Sequence, residues 1–199
     1  MRKLLLLPAL VFALGFAVSL QAQELDLGLG FGTLKAPAAS TNSSTSIFFP
    51  SLSGGLYTSF SGTVRLKHFI GFNAEAAWRT RQAVYGGVQP YRPLFYDFNA
   101  DYGKTWHKKV GADVMAGIGA ESLRFYTPYY TCGFTSCSNY QSINHFAFHI
   151  GGDLRYYVWH GVFIRPEAHY YIIHNNNEFN KVNASRFAIA IGYSFLPGL

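Results

Sequence analysis

From Arg186 to Phe195 the chain reads RFAIAIGYSF, and its side chains sort by parity. Phe187, Ile189, Ile191, Tyr193 and Phe195 share one face of an extended strand. Ala188, Ala190, Gly192 and Ser194 share the other. Successive strand side chains point to opposite faces, so this is a β-strand with all its bulk on one side. A half-buried strand of a water-soluble sheet turns a polar face to solvent. Here the second face is merely small. Small groups suit the crowded interior of a narrow barrel, and large apolar groups suit an outside that meets lipid.

The same alternation recurs along the chain. It predicts eight strands, at Glu24–Leu34, Gly55–Leu66, His68–Arg79, Pro93–Gly103, Lys109–Glu121, Asn144–Tyr157, Gly161–Ile173 and Ala184–Phe195. Each has about the length that crosses a bilayer when tilted. Their connections alternate between short (RLKH, KTWHKK, YVWHG) and long (Lys35–Gly54, Thr80–Arg92, Ser122–Ile143, His174–Asn183). Short turns at one end and long loops at the other predict an all-β, eight-stranded antiparallel up-and-down transmembrane barrel. Its turns are periplasmic and its loops extracellular. Pro166 lies mid-strand and cannot donate to a ladder, so a bulge or local break is expected there.

Composition agrees. Aromatic residues are 18% and charged residues only 13%, as in a barrel with aromatic girdles and little wet surface. Residues 1–22 read as a cleavable secretion signal: Arg2 and Lys3, then the apolar stretch Leu4–Leu20, with cleavage after Ala22. The barrel domain then spans residues 23–199. No other segment is apolar enough for a helical span. The net charge of +6 includes the two signal-peptide cations, and the longest basic run is Lys108-Lys109, which argues against nucleic-acid binding.

The acids give a sharper test. On the strand faces set by apolar parity, Glu24, Asp26, Glu75, Asp97, Asp101, Asp113, Glu121, Asp153 and Glu167 all point inward, leaving Glu178 in a loop. Arg79, Arg155, Arg165 and Arg186 point inward too. A lipid-facing charge would cost roughly 2–4 kcal/mol at the bilayer midplane. The expected polar lumen network is Glu75, Asp97, Asp101, Asp113, His149, Asp153, Arg155, Arg165, Glu167, His169 and Arg186. It reads as a charge-balanced, salt-bridged plug rather than an open pore. In the YVWHG turn, pairing Tyr157 with Gly161 would set Asp153 opposite Arg165 and His149 opposite His169. A two-residue shift at Pro166 is the alternative.

With these features the chain resembles the small outer-membrane β-barrels of the OmpA/OmpX-like group. The resemblance covers about Gln23 to Leu199. It is carried by strand alternation, the opening ELDLGLGFG, the GGDLRYYV–FIRPEAHYY hairpin and the aromatic last strand. It implies folding through the outer-membrane assembly machinery. It also implies a role in structure, adhesion or resistance, or as a narrow channel.

Cys132 and Cys137 lie five residues apart in the third long loop of an exported chain, where a disulfide is expected. Two cysteines alone supply too few ligands for a metal site. His145, His149 and His169 face inward near Asp153 and Glu167. In the barrel lipid A deacylases a His-x-Ser pair is catalytic; the matching stretch here is His169-Tyr170-Tyr171, which has no nucleophile, and no GxSxG occurs. His68, His107 and His160 fall in the short turns with Trp106 and Trp159, as interfacial anchors. The resulting expectation is a non-enzymatic barrel without cofactor or metal. It would sit among outer-membrane lipid in a Gram-negative-type envelope and use its extracellular loops on a surface ligand of unknown identity. The alternatives are a narrow pore or transporter of small or hydrophobic solutes and, less favoured by the residues, a lipid-modifying enzyme.

Overall fold

The alternation of ELDLGLGFGTLK, with Leu27, Leu29 and Phe31 exposed and Asp26 buried, sets the plan of the wall. A computed structural model describes residues 24–41, 48–66, 69–106, 109–133 and 137–195. The signal-peptide reading at residues 1–22 and the turn histidines His68 and His107 lie outside them. The strands are β1 (Glu24–Lys35), β2 (Ser40–Thr41), β3 (Phe48–Phe49), β4 (Leu56–Arg65), β5 (Ile70–Arg79), β6 (Ala83–Tyr85), β7 (Gln89–Trp106), β8 (Val110–Cys132), β9 (Cys137–Trp159), β10 (Val162–Ile173) and β11 (Ala184–Ser194).

Eight of these form the wall, in the order β5-β4-β1-β11-β10-β9-β8-β7, and β5 pairs with β7 to close the ring. Every pairing is antiparallel. Closure leaves no free strand edge, which is the condition for backbone to stand in lipid. The outer surface is apolar: Phe98 is 66% exposed, Ile191 60% and Phe72 59%, while Ala188 and Ala190 behind the last strand are buried. A continuous apolar belt of this kind would aggregate in water and is stable in hydrocarbon.

Two of the expected loops are largely strand. The third connection, read as loop from Ser122 to Ile143, continues the β8–β9 ladder through Tyr126↔Tyr140 and ends at Thr131↔Ser138 and Cys132↔Cys137. The second connection folds back as β6 against the start of β7, Ala83↔Tyr91 to Tyr85↔Gln89. The Ser, Thr, Asn and Tyr of these connections suit an exposed loop. Above the membrane they serve equally well in a strand wet on its outer face.

The β9–β10 register corrects another expectation. His160 (φ 34°) and Gly161 (φ 87°) both take left-handed conformations, so the turn holds two residues and Trp159 faces Val162. A shift between Val162 and Phe163 then sets Phe163↔Tyr157, and from there Glu167↔Asp153 and Tyr171↔His149. Asp153 therefore does not oppose Arg165, nor His149 oppose His169. The register shift lies at the turn, and at Pro166 the structure shows the expected local break without a bulge or a change of register. The ladder to β9 is interrupted only at Arg165 and Pro166, with the register unchanged on either side. On the other flank Pro166 faces Ile189 without a shift.

Candidate functional site

The inward faces of β1, β4, β7, β8 and β9 build a first ionic layer near the short-turn end. Arg65 donates to Glu24 (2.6 Å), Asp101 (3.1 Å) and Asp113 (2.8 Å). Arg155 donates to Glu24 (2.9 Å), Asp113 (3.0 Å) and Asp26, and the Tyr157 hydroxyl donates to Glu24. Gly103 makes room for this layer: a Cβ there would stand 1.5 Å from Asp113 Oδ1.

A second layer lies above it. Arg165 Nε is 2.7 Å from Glu167 and 3.9 Å from Asp153, and its Nη2 donates to Ser61 Oγ at 2.6 Å. Arg186 binds Glu75 and lies 4.0 Å from Glu167. Between them runs a chain of rings and amides: Asn99 to His149 Nδ1 at 2.7 Å, His149 Nε2 to His169 Nδ1 at 3.0 Å, and His169 Nε2 to Glu167 at 3.3 Å. Asn99 Nδ2 also donates to Asn73 Oδ1 (3.2 Å) and to Asp97, and Tyr171 lies stacked on His149. The histidine ring nitrogens are thus spent on neighbours in the wall.

All eleven residues expected in the lumen network are buried and face inward. The charge-balance expectation needs correction. Nine carboxyl groups share the lumen with four buried guanidiniums, those of Arg65, Arg155, Arg165 and Arg186, and Arg79 is only half-buried at the mouth. Carboxyls even oppose one another directly, as at Asp113↔Asp153 and Glu75↔Asp97. Each guanidinium therefore serves several acids, which its five donors permit. Arg65 was missed, although it shares strand parity with the small polar Ser59, Ser61 and Thr63 of the inner face. His145 is also not beside Asp153. It lies 2.9 Å from Glu178 at the loop end. Donor atoms of Glu75, Glu167 and His169 lie within 4.8 Å of one another, but Arg186 and Arg165 already hold those carboxylates, which disfavours a bound cation.

Above the ionic layers the lumen turns apolar. Tyr57, Tyr91, Phe95, Leu123 and Tyr171 from the wall meet Leu52 from the first long connection and Phe179 from a short 3-10 helix, Asn177–Phe179, in the fourth. Tyr85 of β6 joins edge-on, 5.5 Å from Phe179 and 5.4 Å from Phe125. Two polar ties pin the fourth loop over this plug: Asn176 donates to Glu121 (2.7 Å), and Tyr85 OH to the Glu178 carbonyl (3.0 Å). Outside the barrel, Cys132 and Cys137 are disulfide-bonded at the tip of the β8–β9 hairpin.

A closed eight-stranded antiparallel barrel with an apolar wall and a charged lumen is the fold of the small outer-membrane β-barrels of OmpA/OmpX-like type. Solved structures of that type superpose on nearly the whole barrel. Neisserial surface protein A matches with a TM-score of 0.62 at 10% identity, over 85% of this chain and 96% of that one. The attachment invasion locus protein Ail of Yersinia pestis, in complex with the heparin analogue sucrose octasulfate, matches with a TM-score of 0.56 at 12% identity, over 86% of this chain and 98% of that one. The N-terminal barrel domain of Pseudomonas aeruginosa OprF matches with a TM-score of 0.54 at 11% identity, over 87% and 98%. No family model matches the sequence, and no curated protein matches it.

Proposed function

We propose that this chain is a non-enzymatic integral protein of the bacterial outer membrane that acts through its extracellular loops and hairpins, in a structural or surface-interaction role. The closed lumen carries this reading. Two ionic layers and an apolar plug fill the barrel from turn end to loop end, so the groups free to meet a partner are on the outer wall and above it. The histidines supply no nucleophile–base pair, because His149 and His169 bond to Asn99, to each other and to Glu167. The likeness in fold to a surface protein and to an attachment protein crystallised with a heparin analogue is consistent with surface interaction. Residues 1–22 would direct export, and the assembly machinery of the outer membrane would insert the barrel.

Conductance of the refolded barrel in planar bilayers tests the filled lumen. The expected result is baseline current at applied voltage. Stable channels of the open-porin type would overturn the reading in favour of a solute conduit.

A further inference from the structure

Nine of the ten acids of this chain line the lumen, and the tenth, Glu178, lies 2.9 Å from His145 at the loop end. Among the described residues the outer wall therefore carries cations and no carboxylate. Two of those cations are placed against each other. Arg92 on β7 and Arg124 on β8 are directly opposed in register, as Arg92↔Arg124. Directly opposed residues have Cβ atoms about 4.5–5.5 Å apart, and like charges there destabilise a sheet. Among the described residues neither guanidinium has an acid partner, and neither Nε atom has a hydrogen-bond partner. Among the described residues Arg92 donates to the Thr80 carbonyl alone, at 3.4 Å.

Both side chains are held in place. Arg92 lies 5.8 Å over the Tyr126 ring and Arg124 lies 5.0 Å over the Tyr140 ring, and those two rings pack at 5.8 Å. Both arginines follow the outward parity of Tyr96, Phe98 and Tyr102, so they sit on the flank of the barrel and not on the loop tips. From Tyr102 up to Leu94 the outward face of β7 is free of charge, a span of roughly 27 Å along a tilted strand. Arg92 is the next outward residue, at the extracellular border of the apolar belt. Ser142, directly opposite Arg124, is exposed beside it.

We propose that Arg92 and Arg124 form a binding site for a phosphate group of an outer-leaflet glycolipid. A phosphate between two guanidiniums removes their repulsion and accepts charge-assisted hydrogen bonds from both. The membrane-border position, on the wall that meets acyl chains, favours an anchored lipid over a soluble polyanion. The inference rests on the wall spanning the membrane. Failure of that premise would show separately, as failure of the barrel to insert into liposomes.

The test uses the folded barrel in neutral detergent, with native mass spectrometry of bound bis-phosphorylated lipid A, dephosphorylated lipid A and heparin. The R92Q/R124Q variant is compared with K35Q/K181Q, which removes the same charge elsewhere on the extracellular end. Unheated gel mobility checks that each is folded, and Arg124→Gln alone replaces the double variant if that one misfolds. Wild type and K35Q/K181Q should retain the phosphorylated lipid, with R92Q/R124Q weakened by about tenfold or more. Dephosphorylated lipid A should not distinguish the three. Equal loss in both double variants would reduce the effect to net charge and overturn the site. Equal retention of phosphorylated and dephosphorylated lipid, or an arginine dependence seen for heparin only, would overturn it as well.

Discussion

Asp153 stands directly across the β9–β10 ladder from Glu167, and Arg165 Nε serves both carboxylates, at 3.9 Å and 2.7 Å. Two like charges in register are held by one guanidinium that is itself on neither end of the pair. This arrangement fixes the register test. An Asp153→Cys, Glu167→Cys variant should form a disulfide under mild oxidation faster than Asp153→Cys with Arg165→Cys, because only the first pair is directly opposed. Gel mobility under non-reducing conditions reads the outcome, and the reverse ranking would contradict the two-residue turn.

Arg155 is fully buried and binds Glu24, Asp26 and Asp113. Arg155→Ala leaves three carboxylates without that donor, and breaking a buried ion pair from one side costs roughly 3–5 kcal/mol. Urea unfolding in micelles should show a loss of that order. Arg155→Lys should recover only part of it, since an ammonium lacks the planar fork that reaches several acids. A loss below about 1 kcal/mol, the range of exposed pairs, would mean that this layer is wet and weak.

Truncating the plug should separate stability from conduction. Phe179 is buried among Tyr85 and Tyr91. Phe179→Ala should cost roughly 3–5 kcal/mol in the fourth loop and its contacts. Current across a planar bilayer should stay at baseline, because both ionic layers lie below the plug. Opening of a steady channel in this variant would place the barrier in the loop instead.

The Cys132–Cys137 bond closes a short ring at the tip of a hairpin that is already paired at Thr131↔Ser138. Chain-entropy arguments give at most about 2 kcal/mol for so small a loop. Reduction should expose the hairpin tip to protease and leave the gel mobility of the folded barrel unchanged. Alkylation of exported protein without reductant should block neither thiol.

Single cysteines on the last strand test the wall. Ile189 and Ile191 are 59% and 60% exposed, while Ala188 and Ala190 are 7% and 1%. A lipid-restricted probe should label Ile189→Cys and Ile191→Cys and spare Ala188→Cys and Ala190→Cys. Equal labelling of both sets would reject the face assignment.

What was legible in the sequence is what a strand decides locally. Side-chain parity is a property of consecutive residues, so the barrel class, the outward Phe187, Ile189 and Ile191, and the inward direction of nine acids could be read before any fold was known. Parity would also have placed Arg65. It could not say which acid each guanidinium binds, because register depends on the positive φ of His160 and Gly161 and on the slip at Val162, which shift partners while keeping faces. Nor could it place Leu52 and Phe179 in the lumen. Those residues belong to connections with no repeating pattern, and they find the mouth only after eight strands have closed around it. Local alternation thus set the inside and outside of the wall, and ring closure, a non-local event, decided which side chains meet across it.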